Sequence, residues 1–319
     1  MQPERRLMAL SLADYLAERT TPETGAVILG LSAAAIGVAT RLASFGNAAA
    51  QDAADAFAAP LARLDVRFLT SLPDANIAEI RLGGSLAVAI DPLGPPAAIE
   101  TNTPPGTLFS IYPATGTAGA SFLRPGTDQT AAGCILYGPR TTLALTTGHG
   151  TALFLLDRTA ATFCLHTENL AIPTGIAEFA VNAADYRLWE PPVQRFIDDC
   201  MSGVEGPRGQ HFDMRWTGSL AAEVHRILIR GGVYLAPQGT HTPHPLIHHC
   251  HPVAMLIEQA GGQATDGRTR LLGTTATALD AASPLVFGLS EKVDRVAAYH
   301  DMPDTDVSPL FGRRGLFRT

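Results

Sequence analysis

The sequence predicts a fold of the α+β/α/β kind, with a mostly antiparallel sheet in the N-terminal half and an α/β arrangement in the C-terminal half. Near the N-terminus, Leu12, Ala13 and Leu16 recur at helical spacing. Residues 80–165 are short apolar runs separated by turn signals, which is typical of antiparallel strands. After Pro173 such runs alternate with amphipathic segments, and this alternation predicts an α/β unit.

Local signals predict the individual helices and strands. Thr20-Thr21-Pro22-Glu23 resembles an N-cap with proline in the first turn, so a helix is expected from there to about Leu42, followed by another over residues 52–64. Strands are expected before Asp91 and over residues 106–112, 132–137, 142–146 and 151–156, with a hairpin connection near 148–150. In the C-terminal half we expect helices over residues 191–201, 219–231, 252–261 and 291–299, strands over 233–236 and 284–289, and loops over 202–209 and 241–245.

Chain length agrees with a division into two parts. A chain of 319 residues has room for two domains at about 100–200 residues each. We expect an N-terminal domain over residues 1–172, a C-terminal domain over 173–305 and a tail over 306–319.

Composition narrows the possible classes of function. Hydrophobic residues make up 46% and charged residues 17%, which allows a sizeable core and excludes wholesale disorder. The net charge of −7 gives no support for a nucleic-acid or anionic-membrane partner. No CxxC pair occurs, so reduced, buried thiols are expected at Cys134, Cys164, Cys200 and Cys250.

The longest apolar run covers residues 25–40. It has 16 residues, whereas a membrane-spanning helix needs about 20 strongly apolar ones. Asp14, Glu18 and Glu23 precede it, which is wrong for a signal peptide. We therefore expect a buried helix in a soluble, cytoplasmic protein.

Asp91 is the sharpest local feature of the sequence. It ends an apolar strand and is followed by Pro92, an arrangement that can project a carboxylate into a cleft to hold a metal ion or a phosphate. The simpler alternative is that Asp91 caps the following turn.

A histidine cluster is the second feature. Five of the ten histidines fall within eleven residues: His241, His244, His248, His249 and His251. Neutral imidazole suits zinc, nickel or copper. However, Pro245 interrupts the spacing and no acid is near, so the metalloprotease pattern is absent. We favour a solvated loop with one inward-facing histidine over a metal site.

The third feature is Arg215-Trp216-Thr217-Gly218-Ser219, just before a predicted helix. A helix N-terminus with serine and arginine beside it can bind an anion. Equally, Ser219 can be the N-cap, with Arg215 on the surface. Walker A, Rossmann GxGxxG and GxSxG sequences are absent.

These segments together carry a family resemblance. Arg215-Trp-Thr-Gly-Ser-Leu-Ala-Ala-Glu-Val-His-Arg226, Gly231-Gly-Val-Tyr-Leu235 and Cys250-His-Pro-Val-Ala-Met255 are similar to RYxGSxVxDxHR, GGxxLYP and ECNPMA. Those are segments of the class I fructose-1,6-bisphosphatases, metal-dependent and lithium-sensitive sugar phosphatases. Phe122-Leu-Arg-Pro-Gly126, Gln129-Thr-Ala-Ala-Gly133 and Asp91-Pro-Leu93 extend the resemblance over residues 10–300.

The resemblance implies a layered α-β-α-β-α sandwich and a cytoplasmic homotetramer. It also implies Mg²⁺-dependent removal of the 1-phosphate of fructose 1,6-bisphosphate, a step of carbohydrate metabolism and gluconeogenesis. Matching positions imply catalytic roles for Asp91 and Asp55, and metal contacts from Asp91, the Leu93 carbonyl and the position of His249. Sugar-phosphate contacts are implied for Asn182, Arg215, Trp216 and Ser219.

The sequence departs from the family pattern at the metal and phosphate positions. The family's DPLDGSSNID stands here as Asp91-Pro-Leu-Gly-Pro-Pro-Ala-Ala-Ile-Glu100, which loses an acid and two amide donors. The family's SEE acid pair falls at Ser71-Leu72-Pro73, and its Glu before Cys-Asn-Pro is His249. The sugar-phosphate Lys falls at Pro243.

Three hypotheses follow from the resemblance and its departures. The first is a weak or inactive relative that still binds a sugar phosphate. The second is an active phosphatase that uses Zn²⁺ or Mn²⁺ at Asp91 and His249. The third is a non-catalytic regulatory subunit that assembles with an active homologue.

Overall fold

A large sheet dominates the N-terminal half of the computed structural model, which describes residues 10–45, 52–241 and 243–302. Its eight strands are β1 (Val66–Ser71), β2 (Ile77–Glu79), β3 (Leu86–Gly94), β4 (Gly106–Pro113), β5 (Ala131–Tyr137), β6 (Thr141–Thr146), β7 (Thr151–Asp157) and β8 (Thr162–Thr167). Their order is β2-β1-β3-β4-β5-β6-β7-β8, and β1 is parallel to β3 while the other neighbours are antiparallel. The predicted antiparallel meander from β3 to β7 is confirmed.

Three helices cover one face of this sheet: α1 (Leu12–Arg19), α2 (Pro22–Phe45) and α3 (Ala53–Leu61). Helix α2 begins at Pro22 as predicted, and Val27, Ile28 and Leu31 are 0% exposed against the sheet. By length and hydropathy, Pro22–Ala43 could cross a membrane, but a core helix passes the same test. Its buried face also includes Ala35 and Val38 and belongs to the core under α1–α3.

A smaller mixed sheet forms the C-terminal half. It contains β9 (Glu178–Val181), β10 (Asp213–Met214), β11 (Val233–Ala236), β13 (Gly262–Thr265) and β15 (Leu285–Leu289), in the order β10-β9-β11-β15-β13. Outside it, β12 (His244–Pro245) pairs with β14 (Ala282–Ser283). The strand predicted over 233–236 is confirmed, whereas the loop predicted over 241–245 ends in β12.

Helices fill the remaining layers. Helices α6 (Pro191–Met201) and α9 (Ser290–His300) cover the outer face of the smaller sheet. Helices α7 (Leu220–Arg230) and α8 (His251–Gln259) lie between the two sheets. Two short helices, α4 (Pro96–Glu100) and α5 (Ala118–Phe122), complete the set described. The layers therefore run α-β-α-β-α, as predicted.

Strand β3 determines the side of the sheet on which Asp91 lies. Its alternate residues Val88 and Ile90 belong to the core under α1–α3, whereas Ala87 and Ala89 belong to the core between the sheets. Asp91 continues the inward-facing series, two residues after Ala89. The strand therefore directs this carboxylate toward the layer that holds α7 and α8.

The four cysteines are free, as expected. Cys134, Cys200 and Cys250 are buried, but Cys164 is partly exposed at the edge strand β8, so the expectation of burial is wrong there. The predicted tail over residues 306–319 lies outside the described residues.

Candidate active site

A cavity of about 560 Å³ opens between the two sheets. The end of β3, the start of α7 and the end of β11 form its walls, together with the segment that leads into α8. A volume of this size is typical of small-molecule sites. The predicted site residues Asp91, Leu93, Asn182, Trp216, Ser219 and His249 all line it.

Asp91 and His249 meet in this cavity. His249 Nε2 donates to Asp91 Oδ2 over 2.8 Å, and each side chain is 16% exposed. His249 lies in a π-helical turn, Leu246–Cys250, that continues directly into α8. This turn and the inward face of β3 bring together two residues far apart in sequence.

Two more side chains extend this contact. His244 Nδ1 lies 3.3 Å from His249 Nδ1, and the Tyr234 hydroxyl lies 2.9 Å from His244 Nε2. One arrangement of protons satisfies every member: Tyr234 donates to His244, His244 donates to His249, and His249 donates to Asp91. We call these four side chains the imidazole chain.

Burial keeps the far end of the imidazole chain uncharged. Burial lowers the pKa of His244 to about 3, and His249 nearby adds to the effect, so His244 is neutral at pH 7. Burial also raises the pKa of the Tyr234 hydroxyl, which therefore keeps the proton that it donates.

The other histidines of the cluster have structural partners. His248 Nε2 lies 3.2 Å from Thr70 Oγ1 in the core. His251 bonds to the Tyr112 hydroxyl over 3.0 Å and to the Thr274 carbonyl over 3.1 Å. Burial lowers the pKa of both imidazoles to about 4.

The expectation of a solvated loop with one inward histidine is therefore wrong. His248 and His251 are fully buried, and His244 and His249 are partly buried. His241 alone among the five is exposed, and it contacts Asp185. The physical reason is the π-helical turn, which carries the segment into the core instead of leaving it extended.

Asn182 and Asp185 form the opposite wall. Asn182 Nδ2 donates to Asp185 Oδ2 over 3.1 Å, and Asn182 Oδ1 accepts from the Ala184 amide over 3.3 Å. Asp185 is 2% exposed. Sequence reasoning missed Asp185, and the available signal was its N-cap spacing after Asn182.

The segment from Arg215 to Ser219, the third feature of the sequence, both caps a helix and lines the cavity. Ser219 is the N-cap of α7, and its Oγ accepts from the Ala222 amide over 3.4 Å. Trp216 is 41% exposed, and its ring is stacked on Tyr234 at 6.0 Å between centroids and 11° between planes. Arg215 does not line the cavity; it pairs with Asp213 and Glu178.

Apolar residues occupy positions where the family pattern has acids. Leu72 and Pro73 line the cavity near Asp91. Asp55 lies on α3 and is exposed, whereas its neighbours Ala53 and Ala54 line the cavity. The structure therefore does not bring Asp55 together with Asp91.

Comparison with known proteins identifies the family. Profiles described as the N-terminal and C-terminal domains of fructose-1-6-bisphosphatase match residues 49–168 and 172–301. The class 1 fructose-1,6-bisphosphatase of Paracoccus denitrificans is 49% identical over 269 residues, covering 83% of this chain and 82% of the relative. The chain belongs to the fructose-1,6-bisphosphatase family.

Other comparisons agree with the family assignment over nearly the whole chain. The class 1 fructose-1,6-bisphosphatase of Methylorubrum populi is 43% identical and covers 96% of both chains. The apo crystal structure of Leishmania major fructose-1,6-bisphosphatase superposes with a TM-score of 0.85 at 26% identity, covering 92% of this chain and 99% of that one. The fold predicted from the resemblance is confirmed.

Membership of the fructose-1,6-bisphosphatase family implies a divalent cation, but the donors here do not fit one. Within residues 10–45, 52–241 and 243–302, no three His, Cys, Asp or Glu side chains converge as a metal site. Both His249 nitrogens are already engaged in the imidazole chain, so neither offers a free lone pair in that proton arrangement. A cation that takes a His249 nitrogen as a ligand would have to displace the hydrogen bond to Asp91 or the one to His244.

Gly94 adds a steric reason at the same place. A Cβ added at Gly94 would lie 2.6 Å from Asp91 Oδ2, so the Asp91 carboxylate occupies the space where a side chain at position 94 would begin. Fructose-1,6-bisphosphatases carry their second acid at this position, according to the resemblance. Restoring that acid requires Asp91 to rotate away from His249.

Residues 95–97, the turn that matches the phosphate-binding Gly-Ser-Ser of the family pattern, include two prolines. Pro95 and Pro96 carry no amide hydrogen. The Ala98 amide is used within the turn, since it donates to the Pro95 carbonyl over 3.0 Å. Of residues 95–97, Ala97 alone carries a backbone amide hydrogen.

Proposed function

We propose that this chain is a fructose-1,6-bisphosphatase-family protein that hydrolyses fructose 1,6-bisphosphate with Mg²⁺ at least about a thousandfold more slowly than an intact family member. The single observation that carries the proposal is the hydrogen bond from His249 to Asp91, which occupies the one family carboxylate found near the phosphate-binding turn. Hydrolysis in such a site requires cations that neutralise the phosphate and activate water.

The typical effect of removing single electrostatic groups supports a large loss of catalytic rate. Removing one electrostatic group typically costs about 10²–10³ in rate, and residues that act as a unit do not lose rate additively. Mg²⁺ demands near-octahedral oxygen ligation, whereas Asp91 and the Leu93 carbonyl are the candidate oxygen donors that survive here. A thousandfold loss is thus a lower bound on the expected effect.

A phosphate-release assay tests this proposal. The protein is purified without an affinity tag and assayed with fructose 1,6-bisphosphate and Mg²⁺ beside the Paracoccus denitrificans relative. We expect at most about a thousandth of the relative's kcat/KM. Turnover within tenfold of the relative would overturn the proposal.

The same assay tests the alternative that the chain is an active phosphatase that uses a transition metal. Mn²⁺ and Zn²⁺ replace Mg²⁺, and the metal content of the purified protein is measured. We expect no bound metal and no restored activity, because His249 has no free nitrogen lone pair while the imidazole chain is intact. Stoichiometric zinc or manganese with restored turnover would establish the transition-metal alternative instead.

Assembly is proposed from the resemblance alone. We propose a homo-oligomer, specifically a tetramer of 33.6 kDa subunits, in the cytoplasm. Light scattering of the purified protein tests the subunit number. A regulatory role through hetero-assembly would require co-purification with an active homologue from the source cell, and a homogeneous tetramer without a partner would contradict it.

A further inference from the structure

The single lysine of the chain lies half-buried against an aromatic ring. Lys292 is in the first turn of α9, and its Nζ lies 5.2 Å from the centre of the Phe212 ring. Within residues 10–45, 52–241 and 243–302, this Nζ forms no hydrogen bond and no ion pair. The ammonium has therefore lost water without gaining a carboxylate, which favours the uncharged amine.

The acids of this part of the surface have other partners. Glu291, the residue before the lysine, pairs with Arg295 over 3.5 Å. Asp199 on α6 accepts a hydrogen bond from the Tyr299 hydroxyl over 2.5 Å. Burial raises the pKa of the Cys200 thiol to about 11, so this side chain adds no negative charge at neutral pH.

A second cation lies beside the same aromatic ring. The Arg208 Cζ atom is 5.0 Å from the centre of the Phe212 ring and 5.5 Å from the centre of the Phe196 ring. Its Nη1 is buried and has no hydrogen-bond partner within the part of the chain that the structure describes. A buried guanidinium N–H without an acceptor is costly, so an anion placed beside it would be stabilised.

The surroundings of Lys292 therefore disfavour its positive charge. Burial, and after it the charge of Arg208, lowers the pKa of the Lys292 amine. The N-terminal end of α9 carries a positive potential that also disfavours a cation in the first turn. Because the uncharged amine is the nucleophilic form of lysine, Lys292 is more reactive at neutral pH than an exposed lysine.

We propose that Lys292 is a site of reversible carbamate formation with carbon dioxide, and that Arg208 pairs with the carbamate. The lone pair of the uncharged amine attacks the carbon of carbon dioxide, an N–C bond forms, and one C=O electron pair moves to oxygen. The nitrogen then releases a proton to water, which leaves a negatively charged N-carboxylate. Carbon dioxide is the only co-reactant, and no oxidation or reduction occurs.

The product suits its surroundings better than the ammonium does. A carbamate has the planar pair of oxygens of a carboxylate, and an arginine can donate to both of them. Negative charge in the first turn of α9 is favoured by the helix dipole, whereas positive charge there is not. Lys292 does not line the cavity that contains Asp91, so the inference goes beyond the proposed function and stands or falls separately from it.

Chemical trapping tests the proposal. The full-length protein is equilibrated at neutral pH with isotopically labelled bicarbonate, treated with triethyloxonium tetrafluoroborate to convert carbamates into stable ethyl carbamates, and digested for mass spectrometry. The variant Arg63→Lys supplies a reference lysine at an exposed position of the same protein.

We expect labelled ethyl carbamate at Lys292, at least about tenfold more than at the lysine introduced at position 63. The reason is that the fraction of free amine at neutral pH rises about tenfold for each unit by which the pKa falls. No label at Lys292, or equal label at the two lysines, would overturn the proposal.

A pair of arginine variants tests the predicted partner. Arg208→Gln removes the cation beside the Phe212 ring, and we expect trapping at Lys292 to fall at least about fivefold. Arg63→Gln removes an exposed arginine elsewhere and should leave trapping unchanged. Equal trapping in the two variants would overturn the role of Arg208.

Thermal unfolding gives a readout that does not depend on trapping. Carbamate formation in the folded state should raise the unfolding temperature in bicarbonate compared with chloride at equal ionic strength and pH. Lys292→Arg keeps a positive side chain but forms no carbamate, so its unfolding temperature should be the same in both salts. An equal response to bicarbonate in the unsubstituted protein and in Lys292→Arg would contradict the proposal.

Discussion

His249 donates a hydrogen bond to Asp91 over 2.8 Å and so joins the end of β3 to the turn before α8, across 158 residues of sequence. In the family pattern an acid stands at the position of His249. Here an imidazole donor replaces that acid, and a carboxylate that would face a cation is held by a protein group instead. Asp91 thus has a protein donor at the position where the family pattern places an acid.

Replacing His249 by an acid should make the stability of the protein depend on a bound metal ion. His249→Glu removes a hydrogen bond to a charged group and places a second carboxylate beside Asp91. We expect a loss of about 1.5–3 kcal/mol in the free energy of unfolding in EDTA, with recovery when Mg²⁺ or Mn²⁺ is added. Thermal unfolding with and without metal measures this. His249→Gln is the control, because it keeps a donor and should show no response to metal; a metal response in both variants would refute the explanation.

The N-cap of α7 should contribute measurably to stability. Ser219 Oγ accepts from the Ala222 amide, and Ser219 is 1% exposed. We expect Ser219→Ala to lower the free energy of unfolding by about 1 kcal/mol, and Ser219→Gly to lower it by only a few tenths. Urea denaturation compares the two variants. Equal losses would point to packing of the side chain rather than to capping.

Glu178 should be the most sensitive carboxylate outside the cavity. It is 3% exposed and pairs with Arg226 over 3.1 Å and with Arg230 over 2.5 Å. The hydrogen bond from Arg230 is the main reason that the pKa of Glu178 is lowered. Glu178→Gln removes one of the two carboxylates that pair with the mostly buried Arg226 and leaves Glu223 as the other, so we expect a loss of about 1.5–3 kcal/mol. Urea denaturation measures it.

Arg230→Gln is the matched control for that prediction. Arg230 is 56% exposed, and removing a partner at the surface should cost at most about 1 kcal/mol. A larger loss for Arg230→Gln than for Glu178→Gln would show that burial does not determine the cost.

Acid should destabilise the fold through the buried histidines. Burial lowers the pKa of His251 to about 4 from an ordinary value of 6.5. Between these two values the unfolded chain binds a proton that the folded chain does not, so the free energy of unfolding falls as the pH is lowered from 6.5 toward 4. The stabilisation is complete above the ordinary value. Urea midpoints at several pH values measure the slope.

Substitution of His251 should reduce that slope. His251→Gln retains groups able to bond to Tyr112 and Thr274 but does not titrate. We expect a smaller decrease in stability between neutral pH and pH 4 than in the unsubstituted protein. The unsubstituted protein, measured in the same buffers, is the control, and an equal slope in both proteins would contradict the explanation.

Prolines and glycines at the ends of helices and strands explain which elements the sequence predicted well. Helix α6 begins at Pro191, where two prolines favour the first turn, and β11 follows Gly231-Gly232. The parallel pairing of β1 with β3 was missed, because it depends on contacts between segments that another strand, β2, separates. Short-range patterns contain no information on such pairings.

The candidate site was predicted in its residues but not in its contacts. Asp91 was identified from its place at the end of an apolar strand and His249 from the histidine cluster, and the family resemblance added their roles. Their hydrogen bond depends on a π-helical turn that no residue preference predicts. The same turn places His244 between His249 and Tyr234, and Tyr234 was not expected to take part. Tertiary packing, rather than local sequence, determines the burial and the hydrogen-bond partners of these side chains.

Helix α8 packs against β4, β5 and β6 of the large sheet and against β13 of the small one, so one apolar layer belongs to both halves of the chain. A fragment ending near residue 172 would leave the inner face of the large sheet uncovered, with Ala89, Tyr112 and Cys134 open to water. Such a fragment should aggregate instead of folding alone. The two halves of the chain therefore have to fold as a single cooperative unit.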